Sequence, residues 1–305
     1  FNASGLPSTF SVYATTLTRV AVNGLSGTAD STTSILWSWA GSPGAMNYRV
    51  FSATTGVQIY QTAGLIFPDV GLATNTVRSV QVAAYSVAGL GPKSSPVSVY
   101  TGAAAPLPNN PAVTNLSTGS FVITWRTDDG NPGGTRYVAN VSVLVGTTVV
   151  VSTFGTAGYP YALGVPDLAA SQSYTIDIHA LNGDGLASPT LVIGSTYTLP
   201  RNPLNLVFVV TTPVSITVGW DKNGNPSNVI YQVTYSSDNF ISVSTAVPFS
   251  AAAANSSATI SGLMTSTTYQ FEILARNPFG QVSAPLRSAS MNTPNGGAAP
   301  GALAG

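Results

Sequence analysis

Residues 263–280 read LMTSTTYQFEILARNPFG, and this stretch decides the fold because it joins a turn, a strand and a second turn. From Tyr269 onward, apolar side chains occupy every second position, at Phe271, Ile273 and Ala275. Such alternation places these side chains on one face of a β-strand. The Ser and Thr residues before the strand, and the Asn-Pro and Gly after it, are typical turn formers. We therefore expect a half-buried strand between two turns.

The same pattern occurs three times in the chain. Residues 168–185 (LAASQSYTIDIHALNGDG) repeat the spacing of Leu, Tyr, the alternating apolar residues, Asn and Gly. Residues 72–89 (LATNTVRSVQVAAYSVAG) repeat most of it, but Arg78 stands in place of the Tyr. Repeats about 90 residues apart indicate tandem sandwich domains rather than propeller blades or solenoid coils.

A tryptophan precedes each copy of the pattern, and the three tryptophans are 86 and 95 residues apart. Each ends a segment in which large apolar residues alternate with small or polar ones, and a second such segment beginning with Tyr follows. The three pairs are Trp39 with Tyr48, Trp125 with Tyr137, and Trp220 with Tyr231. We interpret the two segments as adjacent strands of each repeat.

Taken together, the tryptophan, the strand-leading Tyr, the Leu-x5-Tyr step and the Asn-x-x-Gly loop resemble the fibronectin type III family, over about nine tenths of the chain. The resemblance implies an all-β protein of tandem immunoglobulin-like antiparallel β-sandwiches, each with seven strands in Greek-key order. The Leu-x5-Tyr step is similar to the tyrosine corner, in which a phenol bonds back to the backbone. Because Arg78 replaces that Tyr in the first repeat, we expect the first domain to be the least stable.

The repeats predict three complete fibronectin type III domains, at residues 18–104, 105–200 and 201–294. Residues 1–17 repeat the spacing of a loop and last strand, so they are predicted to be the F–G loop and G strand of a preceding, incomplete domain. The alternative is a strand that adds to a neighbouring molecule. Residues 295–305 are predicted to be a Gly/Ala/Pro linker. The short, proline-containing links between domains predict an extended, semi-rigid rod.

The composition excludes several classes of partner. Lys and Arg number 10, Asp and Glu number 10, and charged residues are only 7% of the 305. This balance gives no basic surface for nucleic acid, and no nucleic-acid partner is predicted. The apolar runs are too short to predict a membrane span in this segment. A chain so poor in charge, without Cys, favours an extracellular or cell-surface location and a prokaryotic surface or secreted protein.

No catalytic, cofactor-binding or metal-binding residue is predicted, and the protein is not expected to be an enzyme. The chain has one His and no Cys, and no nucleophile, zinc or phosphate motif is present. We expect His179 and Asp177 to share a solvated strand face rather than to bind a metal. Asp128, Asp129 and Asp221 follow the tryptophan strands, and we interpret them as turn formers rather than as calcium ligands.

Glycans are a possible partner. Four sequons occur, a number that chance alone explains, at Asn2, Asn115, Asn140 and Asn255. Tyr159 and Tyr161 could form an exposed aromatic pair, although packing at the rim of a sandwich explains them more simply.

The sequence therefore predicts a non-catalytic extracellular structural or adhesive segment. It would act as a spacer, or as a building block of a surface filament or cell-surface layer, with protein–protein partners through self-association or neighbouring repeats. One alternative is a spacer or accessory region of a secreted polysaccharide-degrading enzyme, and another is a receptor-type ectodomain. Fold alone does not decide among these functions.

Overall fold

A computed structural model describes residues 18–126, 128–143, 148–154, 161–250 and 255–296, with the backbone alone described for 148–154 and for Tyr161. The predictions for residues 1–17, for Tyr159 and for most of the linker at 295–305 lie outside the described residues. Across the described ranges the structure contains strands and no helix.

The first two-sheet unit, named sandwich 1, contains eight strands. They are β1 (Ser26–Ala29), β2 (Ser34–Ser38), β3 (Ala45–Ser52), β4 (Gln58–Thr62), β5 (Ile66–Val70), β6 (Val77–Ser86), β7 (Gly89–Leu90) and β8 (Val97–Tyr100). One sheet has the order β1-β2-β5, and the other has the order β4-β3-β6-β7, with β8 also paired to β6. Strands β7 and β8 are two pieces of one last strand, because both pair with β6.

Sandwich 2 has seven strands in its described residues and follows the same plan. They are β9 (Leu107–Thr114), β10 (Phe121–Arg126), β11 (Arg136–Ser142), β12 (Thr148–Phe154), β13 (Tyr161–Val165), β14 (Ser173–Leu181) and β15 (Leu191–Tyr197). Its sheets have the orders β13-β10-β9 and β12-β11-β14-β15.

Sandwich 3 repeats the plan once more, with a split last strand. Its strands are β16 (Leu204–Thr212), β17 (Ser215–Asp221), β18 (Ile230–Ser236), β19 (Ser244–Val247), β20 (Ser257–Ser261), β21 (Thr268–Arg276), β22 (Leu286–Arg287) and β23 (Met291–Asn292). The sheet orders are β16-β17-β20 and β19-β18-β21-β22, with β23 paired to β21. The three-fold repetition of one strand order, antiparallel in the pairings of β10 with β13 and of β18 with β21, confirms the predicted all-β sandwich fold.

Each sandwich encloses its own core between its two sheets. The predicted Trp–Tyr pairs lie in these cores, with ring centroids 5.6 Å apart for Trp39 and Tyr48. The corresponding distances are 5.3 Å in sandwich 2 and 5.6 Å in sandwich 3, and all three pairs are tilted by similar angles. Aromatic rings in this tilted arrangement gain energy beyond their burial, so the repeated pair stabilises the packing of the two sheets.

The tyrosine corner is present in two sandwiches and absent from the first. The Tyr174 hydroxyl accepts a hydrogen bond from the Ala169 N–H at 2.8 Å. In sandwich 3 the Tyr269 hydroxyl accepts one from the Met264 N–H at 3.0 Å. In sandwich 1 the corresponding Arg78 donates instead to Asp69 on the neighbouring sheet, with Nε 2.9 Å from Oδ2.

Replacing the corner tyrosine tests its contribution to stability. Tyr269→Phe leaves the Met264 N–H without its acceptor, so we expect the free energy of unfolding of sandwich 3 to fall by about 1 kcal/mol. Urea unfolding followed by peptide-resolved hydrogen exchange measures the change in each sandwich separately. Tyr60→Phe, at a half-exposed ring of sandwich 1, is the matched control. Wild-type exchange in the same experiment shows whether sandwich 1 unfolds first, as predicted.

Candidate functional site: the junctions between sandwiches

A buried threonine closes the last strand of every sandwich. The hydroxyl of Thr101 accepts a hydrogen bond from the Thr76 N–H at 3.0 Å and donates one to the Ala73 carbonyl at 2.7 Å. Thr198 and Thr293 make the same two bonds in sandwiches 2 and 3. The hydroxyl therefore binds the last strand of each sandwich to the turn that precedes the sixth strand.

The carbonyl of that threonine is bound by an asparagine of the following sandwich. Asn182 Nδ2 donates to the Thr101 carbonyl at 3.2 Å. Asn277 Nδ2 donates to the Thr198 carbonyl at 3.0 Å. Both asparagines are almost completely buried, at 5% and 2% exposure. We name Asn182 and Asn277 the loop asparagines, because each lies in the loop after the sixth strand of its sandwich.

The other end of each loop asparagine shapes its own loop. Asn182 Oδ1 accepts hydrogen bonds from the N–H groups of Asp184 and Leu186, at 3.1 and 2.8 Å. Asn277 Oδ1 accepts from Phe279 and Gln281 at 3.1 and 3.0 Å. One amide thus fixes the loop and ties it to the preceding sandwich, so a change in the loop changes the junction.

A second pair of asparagines binds the linking segments. Asn131 accepts a hydrogen bond from the Ala104 N–H at 2.9 Å and donates one to the Ala104 carbonyl at 3.0 Å. Asn225 makes the same pair of bonds with Arg201, both at 2.8 Å. We name Asn131 and Asn225 the linker asparagines. Each satisfies both backbone groups of a linking residue, as a neighbouring strand would.

Sandwich 1 has serine at both positions. Ser86 Oγ accepts from the Ala88 N–H at 3.2 Å, within its own loop. Ser42 Oγ donates to the Ala21 carbonyl at 2.7 Å, which is one hydrogen bond where the linker asparagines make two. The shorter hydroxyl side chain binds one backbone group of the linking segment where the amide binds two, so the asparagine arrangement belongs to the two junctions between sandwiches.

The first junction has further contacts. Asn75 Oδ1 accepts from the Gly183 N–H at 2.9 Å, and Asn75 Nδ2 donates to Thr135 Oγ1 at 2.9 Å. The Tyr100 N–H donates to Asp184 Oδ2 at 2.8 Å. A Cβ on Gly183 would lie 2.3 Å from the Tyr100 ring, so the two sandwiches approach closely at this glycine.

The second junction replaces these polar contacts with an aromatic pair. Tyr197 and Phe279 stack with centroids 5.6 Å apart and an interplanar angle of 18°. Pro278 stands where the first junction has Gly183, and a proline has no N–H to donate. Ser171, which corresponds to Asn75, has a buried Oγ without a partner among the described residues. The first junction is therefore the more extensively hydrogen-bonded of the two.

The loop asparagines were predicted only as part of a loop motif, and no role at the junctions was predicted for the linker asparagines or for Asn75. A signal for the linker asparagines was present, because each is followed by proline and lies six residues before the tyrosine that leads the next strand. Asn75 carried no such signal, since the other repeats have Ser there.

The predicted turn carboxylates have protein partners. Arg126 binds both oxygens of Asp128, and this hydrogen bond lowers the pKa of the Asp128 carboxyl from its ordinary value. Asp129 Oδ2 accepts from the Tyr137 hydroxyl at 2.6 Å. Asp221 Oδ1 accepts from the Asn223 N–H at 2.7 Å, within its turn. Among the described residues, no group of three or more His, Cys, Asp or Glu side chains could hold a metal ion.

The remaining predicted positions lie on strands and turns. Asp177 and His179 both lie on β14 and are partly exposed. The hydrogen-bond partner of Asp177 is Asn140 on β11, whose Nδ2 donates to Asp177 Oδ1 at 2.8 Å. Of the sequons, Asn115 and Asn255 are exposed, and Asn2 lies outside the described residues. None of the described residues forms a helix of the length and hydropathy that a membrane crossing requires.

Two packed antiparallel sheets with this strand order, repeated along the chain and joined end to end, define a tandem immunoglobulin-like β-sandwich protein. Residues 201–289 match the family model of the fibronectin type III domain. Sandwich 3 is thus a fibronectin type III domain, and sandwiches 1 and 2 share its sheet order and its Trp–Tyr pair. The predicted resemblance is confirmed.

Parts of known proteins are similar to this chain. The chain is 28% identical to Chitinase A1 of Niallia circulans over 196 residues, which are 61% of this chain and 26% of that protein. It is 27% identical to Exoglucanase B of Cellulomonas fimi over 266 residues, 81% of this chain and 23% of that protein. The chain thus spans about a quarter of the length of these curated relatives. A two-domain fibronectin type III segment of chicken tenascin matches 62% of this chain and 99% of its own, with 18% identity and a TM-score of 0.45.

Proposed function

We propose that the chain is a non-catalytic extracellular spacer, in which asparagine-built junctions hold successive sandwiches at fixed orientations. The observation that supports this function is the repetition of the junction. A loop asparagine and a linker asparagine occupy the same places at both junctions and make equivalent bonds. Relative motion is the default for domains that meet through small polar interfaces. Buried hydrogen bonds repeated at both junctions oppose such motion, because opening a junction breaks them.

The proposed units are those expected from the sequence. We propose that residues 18–104, 105–200 and 201–294 are three domains. Ala103 packs into the core of sandwich 2, and Ala104 is bound by Asn131 of that sandwich. The last two residues of the first range therefore contact the second sandwich. The domains in series form an extended, semi-rigid rod.

Two settings suit such a spacer. In a surface filament, cell-surface layer or adhesive protein, the low charge of the chain would weaken electrostatic repulsion between neighbouring copies. In a secreted polysaccharide-degrading enzyme, the segment would separate a catalytic domain from other modules. The matches with Chitinase A1 and Exoglucanase B favour the second setting and a bacterial source, since both are bacterial polysaccharide-degrading enzymes by name.

Sedimentation with insoluble polysaccharide distinguishes a spacer from a binding module. The chain is mixed with suspended chitin or glucan, the solid is pelleted, and the protein remaining in solution and the soluble sugar released are both measured. A spacer remains in solution and releases no sugar. Saturable loss of the chain into the pellet, or release of sugar, would contradict the proposed function and assign the segment to carbohydrate binding or hydrolysis.

A further inference from the structure

Strand β12 is an unusually long and regular sheet edge. Among the described residues it pairs only with β11, and its seven residues pair without interruption, from Thr148 opposite Ser142 to Phe154 opposite Arg136. The corresponding edge strands β4 and β19 have five and four residues, and a bulge interrupts the pairing of each. Of the edge strands in the described residues, β12 is the longest without a bulge.

The sequence of this edge also lacks the usual protective features. Sheet edges are commonly protected from pairing with other chains by shortness, bulges, prolines and charged side chains. Strand β12 reads TVVVSTF, with no proline and no charge, and residues 137–166 contain no charged residue. The edges of the other two sandwiches lie beside cations, since Lys93 Nζ donates to the Gly56 carbonyl and Arg276 donates to the Phe249 carbonyl. In the pairing of β11 with β12, the charged residue on β11 is Arg136, which lies opposite Phe154, the last residue of β12.

We propose that β12 pairs antiparallel with β12 of a second copy of this chain, which joins two four-stranded sheets into one eight-stranded sheet across a two-fold axis. A strand whose partner is its own copy must be self-complementary. With the axis at Val151, Val150 lies opposite Ser152 of the second copy, and Val149 lies opposite Thr153. An uncharged strand of β-branched residues meets itself without like-charge repulsion, and strand addition satisfies the open backbone groups.

The register identifies substitutions that leave the core intact. Val149, Val151 and Thr153 are paired with the core residues Val141, Ala139 and Tyr137. Val150 and Ser152 alternate with them along the strand, at register positions paired with Asn140 and Val138. Val150→Lys/Ser152→Lys thus places four lysines around the two-fold axis, at positions that no residue of the core cluster pairs with. Gln58→Lys/Gln61→Lys, at exposed positions of the edge strand β4, adds the same charge elsewhere.

Sedimentation velocity of the full chain, from about 1 to about 100 μM, tests the proposal. We expect wild type and the β4 variant to approach twice the chain mass of 31.1 kDa with rising concentration, and the β12 variant to remain at one mass. A second test uses the wild type alone. In hydrogen exchange, we expect the backbone amides of β12 to exchange more slowly as the protein concentration rises.

A wild type that stays at one mass throughout, with exchange in β12 independent of concentration, would overturn the proposal. So would a dimer that the β12 lysines leave intact, because another surface would then join the copies. Either result leaves the spacer function untouched, since that function depends on the junctions.

Discussion

Asn182→Asp is expected to open the junction between sandwiches 1 and 2 while leaving both sandwiches folded. The substitution preserves the shape of the side chain and the Oδ1 acceptor that shapes the loop. It replaces the Nδ2 donor with a carboxylate oxygen facing the Thr101 carbonyl. A buried charge and an unpaired carbonyl together cost about 2–4 kcal/mol. Separating the two sandwiches relieves this cost, because the carboxylate then reaches water.

The effect of Asn182→Asp is expected to depend on pH. The loop N–H groups bind Oδ1 whether the junction is closed or open, but burial against a carbonyl disfavours the charged form, so closing the junction raises the pKa of the new carboxyl relative to the open junction. The junction is therefore closed below the pKa of the open junction, where the neutral acid donates to the carbonyl, and it opens as pH rises through the higher pKa of the closed junction. Small-angle scattering from pH 3 to 8 measures the change in dimensions.

Two variants control for this result. Asn115→Asp adds the same charge at an exposed turn residue and is expected to leave the scattering unchanged. Asn277→Asp is expected to open the second junction instead. If Asn182→Asp scatters like the wild type at neutral pH, the loop asparagine does not hold the junction.

Gly91→Ala is expected to destabilise sandwich 1 more than any surface substitution in it. A Cβ at Gly91 would lie 2.0 Å from the Val20 carbonyl oxygen, and that backbone cannot rotate away as a side chain would. The segment at Val20 and Val22 packs on the core of sandwich 1. Overpacking of this kind costs about 1–3 kcal/mol, and a sandwich of about 90 residues loses about 4–8 °C in Tm for each kcal/mol.

The matched control is Gly41→Ala in the same sandwich. Its Cβ would lie 3.7 Å from Leu65 Cδ1, which is an ordinary contact, so we expect less than about 0.5 kcal/mol of change. Thermal unfolding resolved by hydrogen exchange assigns the loss to a sandwich. Equal melting of the two variants would show that residue 91 and the Val20 segment are not in contact.

The fold could be predicted from the sequence because the signals that carry it are local and repeated. The alternation from Tyr269 to Ala275 and the Trp–Tyr pairs indicate which side chains are buried. Each of these signals lies within a short segment of the chain. The absence of a tyrosine corner in sandwich 1 was predicted for the same reason, from Arg78. Its ion pair with Asp69 could not be, since Asp69 lies on a different strand in the other sheet.

The junctions could not be predicted in this way. An asparagine in a loop is first of all a turn former, and Asn182 and Asn277 do fill that role through Oδ1. Their second role depends on how two sandwiches are placed relative to each other, which the alternation within a strand does not encode. Comparison of the repeats gives a partial signal, because both junction positions hold Asn in repeats 2 and 3 and Ser in repeat 1.

Distances between labelled sandwiches test the fixed-junction account most directly. The chain has no Cys, so cysteines introduced in pairs at the exposed positions Val57, Val192 and Ile241 carry spin labels for pulsed electron resonance. The pair Val57 and Val192 spans the first junction, and Val192 and Ile241 span the second. We expect one narrow distance distribution for each pair, and the distribution across the first junction is expected to be the narrower of the two. Compared with a control pair placed within sandwich 1, neither distribution should be broader by more than the motion of the label itself accounts for. Broad distributions typical of flexibly linked domains would contradict it.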